Sequence, residues 1–178
     1  FKANPRAVSI HRPINICFLF WKLFSGKLYG LKRNLPSEFA LANKIYSPSY
    51  LSLETALAYH NLIPETVYTI VSITTKATRE FTFGNQLFEY RKIKKSAYTG
   101  YQPQKINGEI VKIALPEKAV ADFFYFIFLG KRKFNDRLKL AKIDLKQLKN
   151  HCQLFQSKRF VKFTNQLIKK YGWQNFLD

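Results

Sequence analysis

A chain of 178 residues, 47% of them hydrophobic, is long enough for one domain with a packed core, and this composition excludes an intrinsically disordered protein. The 30 Lys and Arg against 11 Asp and Glu give a net charge of +19, which indicates a polyanionic partner or, on the plainer interpretation, a solvated basic surface. The longest apolar stretches, at residues 14–21 and 123–129, are much shorter than the roughly 20 residues of a membrane-spanning helix. We therefore expect nucleic acid or an acidic protein, and no membrane, as the partner.

The two cysteines predict a cytoplasmic protein with reduced thiols. Cys17 and Cys152 are far apart in the sequence, and neither has the neighbouring Cys or His residues that a metal site needs. The sequence also lacks the glycine-rich loops that bind phosphates in nucleotide-dependent enzymes. These observations predict a protein without a metal or a cofactor.

The first third of the chain predicts a short strand followed by two helices. Residues 1–25 show no periodic pattern, because two prolines interrupt it. Residues 27–33 (KLYGLKR) are typical of a short strand or hairpin arm that carries basic residues. A Pro-Ser pair begins the helix predicted over residues 36–46, and Ser52 is a suitable N-cap for a second helix over residues 53–61.

The middle of the chain predicts strands. Residues 67–74 are rich in β-branched side chains and alternate in polarity, as strands do. Residues 79–83 and 87–93 flank a Gly-Asn-Gln sequence, which is typical of a β-hairpin. A further strand is predicted over residues 110–115, where Pro116 ends it and begins a helix.

The last third of the chain predicts helices. The helix over residues 116–129 is apolar on nearly every side, so we expect it to be buried, with Phe123, Phe124 and Ile127 in the core. Asp144 is a suitable N-cap for a short helix, and residues 158–171 form the last long one. The order of helices, then three or four mostly antiparallel strands, then helices predicts an α+β fold with a small sheet.

Four segments carry a resemblance to a known family. They are YSPSYLSLETALAYHNLIPE at residues 46–65, SITTKATREF at residues 72–81, FEYRKI at residues 88–93 and GEIVKIALPEKAVAD at residues 108–122. In order and spacing they resemble the AbiEi-type antitoxins and transcriptional regulators of abortive-infection (type IV) toxin–antitoxin systems. The resemblance covers roughly residues 38–130, with Asn61 at a position where the family commonly has Gly.

The resemblance implies a function and a division of the chain. Members of this family neutralise a nucleotidyltransferase-like toxin encoded beside them and repress their shared promoter by binding DNA. They begin with a winged helix-turn-helix, and residues 27–33 resemble its wing strand. The preceding residues are too few for the helices that come before this strand, so the DNA-reading helix is expected to be missing. The chain thus divides into a truncated or degenerate winged-helix remnant at residues 1–35 and an antitoxin domain at residues 36–178.

The candidate residues for binding nucleic acid or a partner protein are all cations. They are Lys27, Lys32 and Arg33 on the wing strand, Arg132 and Lys133 after the buried helix, and Lys158, Lys162 and Lys169 on the last helix. On the last helix these lysines share a narrow sector, and apolar residues occupy the other side. An ordinary amphipathic helix has the same pattern. The pattern leaves DNA (through phosphate contacts), RNA and an acidic surface of the toxin open as partners.

The acidic residues do not predict an active site. Glu117 and Asp122 are five positions apart, so on a helix they diverge, and a buried, hydrogen-bonded Asp122 is the better interpretation. Glu89 has no second carboxylate beside it that would complete a nuclease metal site. His60 lies on an apolar helix face and is expected to be packed or solvated, and not a metal ligand or a base. We predict a non-catalytic antitoxin. The alternatives are a stand-alone nucleic-acid-binding regulator and, less well supported, a metal-dependent nuclease.

Overall fold

The computed structural model describes residues 36–83 and 85–171. The chain divides between Leu35 and Pro36 into two units, and every described residue belongs to the second. The predicted wing strand at residues 27–33, with Lys27, Lys32 and Arg33, lies outside the described residues.

The helices lie where the sequence predicts them. They are α1 (Glu38–Ile45), α2 (Leu53–Tyr59), α3 (Pro116–Phe128), α4 (Leu145–Gln153) and α5 (Lys158–Lys170), and a short 3-10 turn spans Lys95–Ala97. Side-chain caps explain three of their starts. Ser37 accepts a hydrogen bond from the backbone N–H of Ala40, Asp144 from those of Lys146 and Gln147, and Ser157 from that of Phe160.

The predicted N-cap of α2 is confirmed in its position but makes no capping hydrogen bond. Ser52 occupies the N-cap position of α2, but its hydroxyl makes no capping bond there. It donates instead to Oδ2 of Asp122 on α3, at 2.8 Å. A capping hydroxyl accepts from a backbone N–H, whereas this hydroxyl donates to a buried carboxylate, and bonds to charged groups are about twice as strong as neutral ones.

The described strands form one mixed sheet of six strands. They are β1 (Ser49–Leu51), β2 (Thr69–Thr74), β3 (Arg79–Phe83), β4 (Gln86–Lys92), β5 (Tyr101–Ile106) and β6 (Glu109–Ala114), in the spatial order β3-β4-β2-β1-β6-β5. The pairs β2–β4 and β1–β6 are parallel, and the other three are antiparallel. The α+β class and the hairpin of β3 and β4 are confirmed.

The predicted number of strands, three or four, is wrong, because β1 and β5 give little local signal. β1 has only three residues and follows directly after a proline. β5 (YQPQKI) contains Pro103 and several polar residues, which argue against a strand. It is an edge strand, where the missing N–H of a proline is tolerated.

The sheet lies between α1 and the other helices. Tyr90 on β4 donates to the carbonyl of Ala42 in α1 at 2.6 Å, whereas Tyr50 on β1 donates to Asp122 in α3 at 2.9 Å. On β2, which lies between β1 and β4, Ile73 pairs with Tyr50 and the adjacent Ser72 pairs with Tyr90. Because neighbouring residues of a strand point to opposite faces, the two tyrosines lie on opposite faces of the sheet. The core therefore has two layers, one on each side of the sheet.

The buried helix α3 is confirmed, with one correction. Phe123 and Phe124 are buried, but Ile127 is only half-buried, and Phe126 is buried in its place. The segment of α4 and α5 packs on α3 through aromatic rings. Tyr125 of α3 stacks on Phe155, which follows α4, and Phe128 of α3 contacts Phe160 of α5. Ile127 lies outside these contacts.

Candidate partner-binding surface

Four polar side chains form a buried cluster at the start of α3. Lys118 and Asp122 lie one helical turn apart, both are 0% exposed, and the ammonium of Lys118 forms an ion pair with Oδ1 of Asp122. The hydroxyls of Tyr50 and Ser52 donate to the other carboxylate oxygen. Both carboxylate oxygens of Asp122 are thus hydrogen-bonded within the protein. Asp122 is the buried, satisfied carboxylate that the sequence predicts, and the burial of Lys118 was not predicted.

The surroundings close this cluster off from solvent. The Lys118 ammonium lies 4.8 Å from the centre of the Phe155 ring. The His151 ring packs so closely over Gly100 that a Cβ there would lie 2.6 Å from His151 Cε1. Burial, followed by the charge of Asp122, raises the pKa of Tyr50 well above its usual value, and burial, followed by the charge of Lys118, lowers that of His151. Lys118, Asp122, Tyr50 and Ser52 are thus enclosed by the core, and His151 is half-buried beside them.

The same cluster joins the segments that carry the family resemblance. Tyr50 and Ser52 belong to the first segment, and Asp122 ends the last. His60 of the first segment also hydrogen-bonds the carbonyl of Ala114, at 2.8 Å, and is packed as predicted. The polar residues of the first segment thus hydrogen-bond directly to the last segment.

Arg132 belongs to a second polar network and not to an exposed basic surface. Its guanidinium contacts Glu54 at 2.9 Å and also contacts Glu89, which Arg91 contacts in turn. Burial would raise the pKa of Glu89, but hydrogen bonds from Arg91 and Arg132 outweigh it and lower the pKa. The side chain of Arg132, which the sequence predicts to bind a partner, is therefore half-buried, and its charge is already paired.

The other predicted cations of the described residues are exposed. Lys133 lies in the loop after α3, and Lys158, Lys162 and Lys169 lie along α5. The buried residues of α5 are Phe160, Thr164 and Ile168, while Phe163 and Leu167 are half-buried and Tyr171, just after the helix, is 36% exposed. The apolar side of α5 is thus narrower than the sequence predicts.

Helix α5 carries an unpaired basic surface. Besides the three predicted lysines, Arg159 and Lys170 are exposed on it, and its sequence (KRFVKFTNQLIKK) contains no acidic residue. Within residues 36–83 and 85–171, none of these five cations forms an ion pair, whereas Arg91, Arg132 and Arg137 all contact glutamates. We call these five cations the α5 surface.

The first turn of α5 places cations where the helix itself disfavours them. Lys158 and Arg159 lie at the N-terminal end, beside backbone N–H groups that carry partial positive charge. At low ionic strength, each unfavourable charge of this kind costs about 0.3–1 kcal/mol. Stability therefore does not account for these two residues.

Reversal of charge at the two ends of α5 should change stability in opposite directions. We expect Lys158→Glu to raise the free energy of unfolding by about 0.3–1 kcal/mol and Lys169→Glu, near the other end, to lower it by a similar amount. Urea unfolding in low salt measures both changes, and high salt should remove the difference. Shifts of equal sign for both variants would show that net charge, not the helix dipole, sets the stability.

The described residues show no metal site and no membrane span. Among them, no group of three or more His, Cys, Asp or Glu side chains could hold a metal ion, and no helix is long and apolar enough to cross a membrane. Comparison of the chain with protein-family models, with curated proteins and with solved structures finds no match.

Proposed function

We propose that this chain is a non-catalytic antitoxin of a bacterial toxin–antitoxin system, of the AbiEi type that its sequence resembles. It neutralises a nucleotidyltransferase-like toxin encoded beside it. Its second activity is repression of the shared promoter, with DNA bound through phosphate contacts. On this proposal the protein acts in the cytoplasm, where the toxin and its target are, and needs neither a cofactor nor a membrane.

The α5 surface supports the part of the proposal that concerns a negatively charged partner. Five exposed cations without ion pairs, on a helix that lacks acidic residues, make a site for a negatively charged partner. Two of them oppose the helix dipole, which argues for a role other than stability. Lysine charges of this kind contact phosphates or an acidic protein surface without reading a base sequence.

The buried cluster supports the non-catalytic part of the proposal. Asp122 and Lys118 are the charged pair most suggestive of chemistry in the resembling segments, and both are enclosed by the core. Glu117, the other acidic residue of α3, accepts a hydrogen bond from the backbone N–H of Asp144 at the start of α4. These carboxylates therefore serve the packing of α3.

The α5 surface equally favours a second candidate, a stand-alone nucleic-acid-binding regulator without a toxin. The two candidates differ in the genetic neighbourhood, since only the antitoxin needs an adjacent reading frame for a nucleotidyltransferase-like protein. They also differ in cells. An antitoxin restores growth when its toxin is expressed, and a regulator does not.

Co-expression tests the proposal. The full chain and the adjacent toxin are placed under separate inducible promoters, and growth is scored with the toxin alone, with both, and with an unrelated basic protein of similar size. We expect growth to be restored only by this chain. Continued growth arrest, with the chain shown to be folded and abundant, would leave the regulator as the better assignment.

A further inference from the structure

A cavity of about 410 Å³ lies on the α2 side of the sheet, away from the α5 surface residues. It is bounded by the segment that leads into β2, by Glu54 of α2, and by Arg132 and Asn135 of the loop after α3. Much of its wall is aliphatic, from Ile63, Val67 and Val71. Its volume falls within the range of small-ligand sites, about 300–1,000 Å³.

An exposed aromatic side chain borders this cavity. Tyr68 is 83% exposed, the highest value among the large hydrophobic side chains of the described residues, and its ring makes no aromatic contact with another described residue. Its backbone is held in place, because its carbonyl accepts a hydrogen bond from Gln86 Nε2 at 2.6 Å. An exposed ring beside an aliphatic wall suits a planar aromatic ligand, which gains from stacking.

Two glutamates of the cavity each have one carboxylate oxygen without a hydrogen-bond donor among the described residues. Glu54 gives one carboxylate oxygen to Arg132, and Glu65 places one oxygen 3.7 Å from Arg137. The second oxygen of each is buried and has no hydrogen-bond partner among the described residues. The last torsion of a Glu side chain is soft, so a small rotation turns that oxygen toward a ligand. Unsatisfied carboxylate oxygens call for N–H donors.

The loop that contributes Arg132 to the cavity also carries exposed cations. Lys131 and Lys133 are exposed on either side of Arg132, whose guanidinium is turned inward to Glu54 and Glu89. Lys131 and Lys133 are thus open to solvent, while Arg132 between them is paired within the protein. A ligand with an aromatic group in the cavity and a phosphate near this loop would contact both the glutamates of the cavity and the exposed lysines of the loop.

We propose that this cavity binds an unpaired nucleobase that carries an amino group, from a single-stranded nucleic acid or a free nucleotide. The base stacks on Tyr68 and donates its amino hydrogens to Glu54 or Glu65, and its phosphate lies near Lys131 and Lys133. Adenine and cytosine offer such an amino group, and thymine and uracil do not. This inference goes beyond the proposed function, because it concerns a different surface and holds with or without a toxin.

Binding of short single-stranded oligonucleotides to the full chain tests the stacking role. Fluorescence anisotropy is measured for oligo-dA, oligo-dC and oligo-dT and for a duplex competitor, with AMP and TMP as the free-nucleotide arm. We expect Tyr68→Ala to weaken oligo-dA and oligo-dC binding about 5- to 150-fold, since stacking contributes about 1–3 kcal/mol per base, and to leave duplex binding unchanged. Tyr59→Ala is the matched control, because Tyr59 is an exposed tyrosine that does not line the cavity.

A second variant tests the base preference. Glu65→Gln adds an N–H donor and removes a charge, so the preference for oligo-dC over oligo-dT should fall toward one while the fold is kept. Equal affinity of the parent chain for all three oligonucleotides would overturn the inference, and so would equal effects of the two tyrosine variants.

A competition experiment distinguishes a basic protein as the ligand. If an arginine-rich peptide displaces oligo-dC, and Glu65→Gln loses peptide binding, the cavity binds a basic protein instead. Growth rescue is scored separately, so failure here leaves the antitoxin proposal intact.

Discussion

Replacement of Asp122 by Ala is expected to lower the free energy of unfolding by about 3–5 kcal/mol, because the ammonium of Lys118 would then lie in the core without a carboxylate partner. The hydroxyls of Tyr50 and Ser52 would also lose their acceptor. Urea unfolding measures the loss as a shift of the midpoint at an unchanged slope. A loss of this size equals a large part of the stability of an ordinary domain.

A paired variant separates the charge effect from the packing effect. Lys118→Met with Asp122→Asn removes both charges and retains an oxygen that accepts from Tyr50 and Ser52, so most of the lost stability should return. Ser52→Ala alone removes one neutral donor and should cost much less. If the paired variant is as unstable as Asp122→Ala, the instability comes from packing around α3, and the ion pair contributes little.

The parts of the fold that could be predicted are those encoded by neighbouring residues. Ser37, Asp144 and Pro116 mark helix starts through bonds or torsions within one turn, and all three helices begin there. Strand β1 is different, since its three residues are held by pairing with β2 and β6, which lie 20 or more positions away. Such pairing leaves no periodic pattern in so short a segment.

The same distinction applies to the candidate sites. The α5 lysines could be predicted because the spacing within one helix places them together. Arg132 could not be distinguished from Lys133, since its partners Glu54 and Glu89 are brought near only by the folded sheet. Lys118 and Asp122 do have a local signal, the i, i+4 spacing of opposite charges, but that spacing more often marks an exposed helix face than a buried pair.

The α5 surface should be required for antitoxin activity through several cations acting together. We expect the combined change Lys158→Glu, Lys162→Glu and Lys169→Glu to abolish the growth rescue, while each single change has little effect. One exposed charge pair contributes only about 0–1 kcal/mol, so a partner bound by many of them tolerates the loss of one. The fold should be kept, because these side chains are exposed and each change alters stability by no more than about 1 kcal/mol, with opposite signs at the two ends of the helix.

A second triple variant is the matched control for this experiment. Lys92→Glu, Lys105→Glu and Lys112→Glu also reverse three exposed lysines, which lie on the sheet and form no ion pair with the described residues. Both triples lower the net charge of +19 by the same amount.

If rescue depends on the α5 surface, only the first triple variant loses it, and thermal melts show that both proteins are folded. Loss of rescue in both would assign the effect to overall charge. Full rescue by a stable α5 triple variant would show that these lysines take no part in neutralising the toxin. The α5 surface would then be an ordinary solvated helix face.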